Sequence, residues 1–240
     1  MYPLDALADD QVLTCARGAT AVPVGEFALA SMMSFAKAMP EVWLDGPPEH
    51  GWYTGPRLSG LYGKTLVIVG VGGIGSNVAS IALAFGMRVI GVRRRPLPSP
   101  IEGMEITTDL RAAVAEADHL VLAAPATDDT AHLIDADVLA AAKPGLHFVN
   151  VARGSLVDQD ALRRALDRGQ VARASLDTVT PEPLPDDSWM YSHPGVRISP
   201  HVSWAGPGSR GAMADAFITN YHRFRAGETL EGVVDQTLGY

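Results

Sequence analysis

Gly70, Gly72 and Gly75 make a G-x-G-x-x-G turn inside LVIVGVGGIGSNVASIALAFGMRVIGVRRRP, residues 66–96. A turn of this kind brings backbone N–H groups onto a phosphate. Gly70 permits the tight turn, Gly72 lets the backbone approach a pyrophosphate, and Gly75 allows close packing of helix on strand. Gly73 and Ile74 complete the turn, and the pyrophosphate would rest on the N–H groups and positive dipole end of the helix that follows. The pattern alone is weak, because 24 glycines in 240 residues give near-matches by chance. Its setting strengthens it. TLVIV reads as a buried strand immediately before, and Val78, Ile81, Ala82 and Phe85 give the next segment a helical apolar face. A dinucleotide site is therefore expected, with a purely structural glycine turn as the alternative.

The second strand of this unit ends where comparable units carry one carboxylate to hold a ribose 2′-OH. Arg93, Arg94 and Arg95 stand there instead. Guanidinium groups bind phosphate through paired N–H donors, so the run predicts a 2′-phosphate and hence NADP(H) in preference to NAD(H), which remains the second candidate. A solvated charge run is the alternative.

The elements that must position these groups follow from periodicity. From Val24 to about Trp43, Leu29, Met32, Met33 and Ala36 recur at helical spacing and predict an amphipathic helix. A stretch dense in Gly and Pro, LDGPPEHGWYTGPRLSG, then marks an irregular excursion. After it, strands at 65–69, 88–92, 119–124, 147–151, 171–179 and near 196–200 alternate with helices at 73–86, 108–117, 135–142 and 159–169. Strands separated by helical segments imply parallel βαβ units, so the expected fold is α/β with a doubly wound parallel sheet. Residues 183–200 read as a surface loop and Ala212–Phe224 as a last helix.

Composition excludes several classes. The formal net charge of -8 argues against nucleic acid, whose phosphates need a basic surface. A single cysteine, Cys15, forms no internal disulfide, and no His/Cys cluster has metal-ligand spacing, so no metal is expected. MYPLDALADD lacks the basic start and apolar run of a secretory signal, and no apolar stretch reaches the ~20 residues of a membrane span. The expected setting is the cytoplasm, with no membrane partner.

Three further stretches end predicted strands, where doubly wound folds gather ligands: NVARGSLVD (150–158), SLDTVTPEPLP (175–185) and SPHVSW (199–204). With the glycine turn and the tail NYHRFRAGETLEGVVDQTLGY, they resemble the D-isomer-specific 2-hydroxyacid dehydrogenases. The resemblance implies a Rossmann domain and hydride transfer between NADP(H) and a small 2-oxo or 2-hydroxy acid. It makes Arg153, Glu182 and His201 the catalytic trio, with Arg153 and His201 also bordering the cofactor. The chemistry asks for these types: a guanidinium for a carboxylate and a carbonyl growing negative, an imidazole for the proton, a carboxylate to fix the imidazole's tautomer and favour its charged form. Asp177 would face the nicotinamide carboxamide, with a structural aspartate as the alternative, and Pro125, Thr130 and Val151 would line the cofactor. Glu182 stands where the formate dehydrogenases of the same superfamily carry glutamine, which disfavours formate. Trp204, Tyr53 and Trp52 are candidates either for a pocket around an apolar substituent or for core.

Relatives begin with a substrate lobe ahead of the stretch matching LADDQVLTCARGATAVPVGEFALASMMSF, which here starts within ten residues of Met1. The resemblance thus divides the chain into a remnant of that lobe with a helical dimerisation arm (1–59), a dinucleotide-binding domain (60–204) and a C-terminal helix and tail (205–240). A start assigned too far downstream, a fragment, and a natural short form each fit this departure. The arm implies a homodimer. Because the family also resembles dinucleotide-binding corepressors, a nucleotide-responsive binding module is the alternative to an enzyme.

Overall fold

A computed structural model describes residues 6–8, 10–47, 51–235 and 239. Parts of the predicted lobe remnant, of the Gly/Pro-rich excursion and of the tail lie outside the described residues. Helix α1 (Ala21–Ala36) comes first. There follow β1 (Thr65–Val69), α2 (Gly73–Ala84), β2 (Arg88–Val92), β3 (Met104–Thr107), α3 (Leu110–Val114), β4 (His119–Leu122) and α4 (Ala136–Ala141). The chain continues through β5 (Leu146–Asn150), α5 (Gln159–Asp167), β6 (Val171–Leu176), α6 (Trp189–Ser192), β7 (Val196–Ile198) and α7 (Ser209–Ala226).

The strands form one sheet in the order β3-β2-β1-β4-β5-β6-β7, and every pairing is parallel. The order reverses between β1 and β4, so the crevice outside their carboxyl ends is the place such sheets offer a ligand. Side chains alternate between faces along β1. Leu66 and Ile68 join a core with Val24, Ala28 and Met32 of α1 and Val78, Ala79 and Ala82 of α2. Val67 and Val69 join the opposite core with Val114, Leu139, Leu162 and Phe148. Each fully buried large side chain contributes about 1.5–3 kcal/mol, so both faces are firmly covered.

Helices α3, α4 and α5 begin at aspartates whose carboxylates accept the N–H groups of Ala112, Val138 and Ala161 at 2.8–3.0 Å. Such caps are each worth about 1 kcal/mol. Helix α2 follows Gly72 and has no side-chain cap. Its first N–H groups are left for another acceptor.

The structure departs from the sequence reading at several elements. Among the described residues there are seven strands rather than six: MEIT forms β3 beside β2. Being short, at the edge and only partly buried, it offers no apolar run, and three prolines precede it. Helix α1 stops at Ala36, not near Trp43, since Ala38 takes φ +48° and Pro40 has no N–H to extend the ladder. The segment read as a loop at 183–200 also contains α6, whose Met190 N–H is held by Ser188. Helix α7 begins at Ser209 and closes on left-handed Gly227, whose N–H reaches the Arg223 carbonyl.

Among the described residues no helix is long and apolar enough to cross a membrane, and no group of three or more His, Cys, Asp or Glu side chains converges as metal ligands would. Cys15 is a free, exposed thiol.

Candidate active site

The glycine turn leaves β1 at Gly70, whose φ of +98° suits glycine and whose N–H donates to Val92 at 3.0 Å. A Cβ on Gly70 would lie 2.6 Å from the Ala124 backbone beyond β4. One on Gly75 would run into the Gly70 carbonyl and lie 3.1 Å from the Ile68 side chain. At Gly72 a Cβ would meet nothing within 4 Å. Two glycines are thus required by close packing, and the third faces open space at the uncapped start of α2, where Gly73 and Ile74 are the first helical residues. This cradle is walled by backbone, and its chemistry fits a pyrophosphate.

Arg93, Arg94 and Arg95 leave β2, the neighbour of β1. Arg93 donates to the Pro98 carbonyl at 3.0 Å. Arg94 faces Asp129 at 3.7 Å, and Arg95 is exposed. Beyond β4, Thr130 Oγ1 donates to the Pro125 carbonyl at 2.8 Å and accepts the Thr127 N–H at 2.8 Å, which closes a turn over the crevice edge. Val151 buries its side chain in the core under α1 and α2. Only its backbone is left for a ligand.

The second half of the site is built at the ends of β5, β6 and β7. His201 takes φ +54°, a conformation that strains a residue bearing a side chain by about 1–3 kcal/mol. Asp177 holds it there. This buried carboxylate accepts the Ser199 hydroxyl at 2.6 Å and the N–H groups of Val202 at 2.9 Å and Ser203 at 3.0 Å, while its carbonyl accepts the His201 N–H at 3.0 Å. The Trp204 indole donates to the His201 carbonyl at 3.0 Å. His201 Nδ1 then lies 2.9 Å from Glu182 Oε2, and Glu182 Oε1 accepts the Val179 N–H at 3.0 Å. A carboxylate only accepts, so Nδ1 carries the hydrogen, and Nε2 is protonated in the imidazolium and bare in the neutral ring. Among the described residues Nε2 has no partner, and both side chains are about one-third exposed (38% and 36%).

Arg153 stands beyond β5. Its Nη1 donates to the Ala152 carbonyl at 2.6 Å, and among the described residues no carboxylate pairs with it. The buried Asn150 carboxamide ties its loop to that of β6, donating to the Arg153 carbonyl at 3.1 Å and the Thr178 carbonyl at 3.3 Å. Gly154 lies against the Val179–Thr180 peptide, 2.5 Å from the Thr180 nitrogen at the position of a Cβ. Arg153, Glu182 and His201 are therefore carried on three adjacent strand ends joined by direct contacts. A cavity of about 650 Å³ lined by Glu182, His201, Leu184, Met190, Tyr191 and Ile198 opens beside the pair.

Asn150, Ser199 and the bracing role of Trp204 were not assigned from sequence. A carboxamide directly after a buried apolar run was the available signal for Asn150. Trp52 and Tyr53 are strongly exposed, at 76% and 105%, and belong to neither buried core.

Residues 29–203 match the family model described as D-isomer specific 2-hydroxyacid dehydrogenase, NAD binding domain. A glyoxylate reductase of Korarchaeum cryptofilum is 34% identical over 218 residues, 88% of this chain and 65% of its own length. The solved D-isomer specific 2-hydroxyacid dehydrogenase of Xanthobacter autotrophicus Py2, in complex with NADPH and MES, superposes with a TM-score of 0.84 at 28% identity, covering 99% of this chain and 98% of that one. The NADPH-dependent glyoxylate/hydroxypyruvate reductase of Sinorhizobium meliloti, in complex with NADP and sulfate, gives 0.83 at 26% identity, covering 96% and 74%. The chain spans between about half and two thirds (53–65%) of the length of several curated relatives it matches.

Proposed function

The chain belongs to the D-isomer specific 2-hydroxyacid dehydrogenase family, and from that premise we propose that it transfers a hydride between NADP(H) and a small 2-oxo or 2-hydroxy acid. The observation that carries the reading is the 2.9 Å contact of His201 with Glu182, one strand from an arginine free of any acidic partner among the described residues. The nicotinamide, when bound, supplies the hydride; all else falls to the chain's own side chains. Arg153 holds the substrate carboxylate and the carbonyl oxygen as it becomes negative. His201 Nε2 gives that oxygen a proton during reduction and takes it back in oxidation. Glu182 keeps the other ring nitrogen protonated and offsets the imidazolium charge.

Gly70, Gly72, Gly73, Ile74 and Gly75 would hold the pyrophosphate, with Pro125, Thr130 and the Val151 backbone beside it, and Arg93, Arg94 and Arg95 the 2′-phosphate. The NADPH and NADP of the Xanthobacter and Sinorhizobium complexes support this choice over NAD(H). Glyoxylate, named in the relatives above, is the substrate to try first. The exposed arm with Trp43, Leu44 and Trp52 supports a homodimer.

The test is product analysis after incubating the chain with NADPH and glyoxylate. Equimolar glycolate and NADP⁺ are expected. The second reading is a dinucleotide-binding module without turnover, for which the backbone-walled glycine cradle alone would suffice. NADPH binding with no product from any 2-oxo acid would select it.

A further inference from the structure

Gln159, the first residue of α5, grips both ends of one residue in the loop after β6. Its Oε1 accepts the Thr180 N–H at 2.9 Å and its Nε2 donates to the Thr180 carbonyl. Thr180 follows Val179, whose N–H binds Glu182, and precedes the Pro181-Glu182-Pro183 run. The two prolines have no N–H, so this stretch has few donors with which to tether itself. The base of the grip is firm: Asp158 caps α5 through the Ala161 N–H at 2.9 Å and donates its own N–H to Ile134 at 3.0 Å. On the other side, Asn150 spans Thr178 and Arg153, and Gly154 abuts the Val179–Thr180 peptide. The loop bearing Glu182 is thus fixed by the Gln159 and Asn150 side chains, whose hydrogen bonds among the described residues go to neither Glu182 nor His201.

We propose that Gln159 is a positioning residue that aims Glu182 at His201 and, with Asn150, sets the spacing of that pair from Arg153. The proposal rests on the dehydrogenase reading above. A tether that merely stabilised the fold would affect activity equally whether or not position 182 carried a carboxylate. A tether that aims Glu182 acts only through that carboxylate.

The test uses Gln159→Met, which keeps the side chain's length and removes its donor and acceptor at a half-exposed position. Amide hydrogen exchange at Val179 and Thr180 should quicken by about tenfold or more, the unfolding midpoint and NADPH affinity staying within experimental error of the parent. Misplacing a catalytic group by about 1 Å can lower turnover about 100-fold, so kcat for glyoxylate should fall about 10- to 100-fold. In a Glu182→Gln background the same substitution should lower kcat by less than about twofold. Unchanged exchange at Val179, or an equal loss of kcat in both backgrounds, would overturn the proposal. Should the parent chain reduce no 2-oxo acid, the dehydrogenase reading fails by itself. The clamp would still be decided by Val179 exchange, quickened in Gln159→Met if it holds and unchanged if it does not.

Discussion

Glu182 divides its carboxylate between two partners: Oε2 lies 2.9 Å from His201 Nδ1 and Oε1 accepts the Val179 N–H at 3.0 Å. The backbone bond fixes the carboxylate, and the carboxylate fixes the ring. Glu182→Gln preserves the shape and removes the charge. Hydrogen bonds to charged groups are worth about 1.5–3 kcal/mol, so kcat should fall about 10- to 100-fold. Cofactor affinity should stay within about twofold, as measured by equilibrium fluorescence titration. Full activity in this variant would remove Glu182 from the account.

Arg93 tests the choice of cofactor. Its guanidinium sits at the exit of β2 with one nitrogen on the Pro98 carbonyl. Loss of a charge-assisted phosphate contact of about 1.5–3 kcal/mol should lower the NADPH-to-NADH affinity ratio of Arg93→Ala about 10- to 100-fold. Dissociation constants for both nucleotides give the answer, and an unaltered ratio would exclude Arg93 from 2′-phosphate binding.

Gly154→Ala should act through packing. The added methyl would run into the Val179–Thr180 peptide, which is backbone and gives way only with its loop. Overpacking of this kind destabilises by about 1–3 kcal/mol. Urea unfolding should show that loss together with reduced turnover, because the displaced loop carries Glu182. A variant as stable as the parent would contradict the close approach.

Stability should also depend on pH through two histidines near the amino ends of β4 and β5, away from the carboxyl ends that carry the site. His119 and His147 face each other Nδ1 to Nδ1 at 3.2 Å, His147 Nε2 reaches Ser175 at 3.0 Å, and Phe35 stacks on His147 at 4.5 Å. Burial, opposed by Asp118 and assisted by Lys64, lowers His119 to about 4. Burial, then His119 and Arg173, holds His147 well below the usual histidine range. Unfolded imidazoles take up protons as pH falls through about 6.5 while the folded pair stays neutral, so the stability is present above that pH and declines below it. Between pH 7.5 and 5.5 the loss should be about 2–3 kcal/mol for two such groups. Equal urea-unfolding free energies at the two pH values would refute the sign.

What sequence disclosed depended on whether its cause was local. The glycine turn was legible because positive φ at Gly70 and the close approach at Gly75 leave few other residues admissible. The β1, β2 and β5 runs were legible because a strand covered on both faces is continuously apolar. Strand β3 was hidden because it lies at an edge and buries little. Resemblance left Asp177 as either a ligand-facing or a structural aspartate, and the three donors on its carboxylate come from 22 to 26 positions away. Asn150 and Gln159 reach partners 28 and 21 positions distant, and His119 meets His147 across 28. No local periodicity records such pairings; they follow from strand order and register.

If His201 moves the substrate proton at a site where dinucleotide binding does not depend on it, removing the imidazole should stop turnover and spare binding. Rates of NADPH oxidation with glyoxylate, measured beside NADPH affinity for the parent chain and for His201→Ala, decide between the two roles. A positioned acid–base group contributes about 10²- to 10⁴-fold, so turnover should drop by that factor while the NADPH dissociation constant stays within about twofold. Turnover by the His201→Ala chain within about threefold of the parent would contradict it.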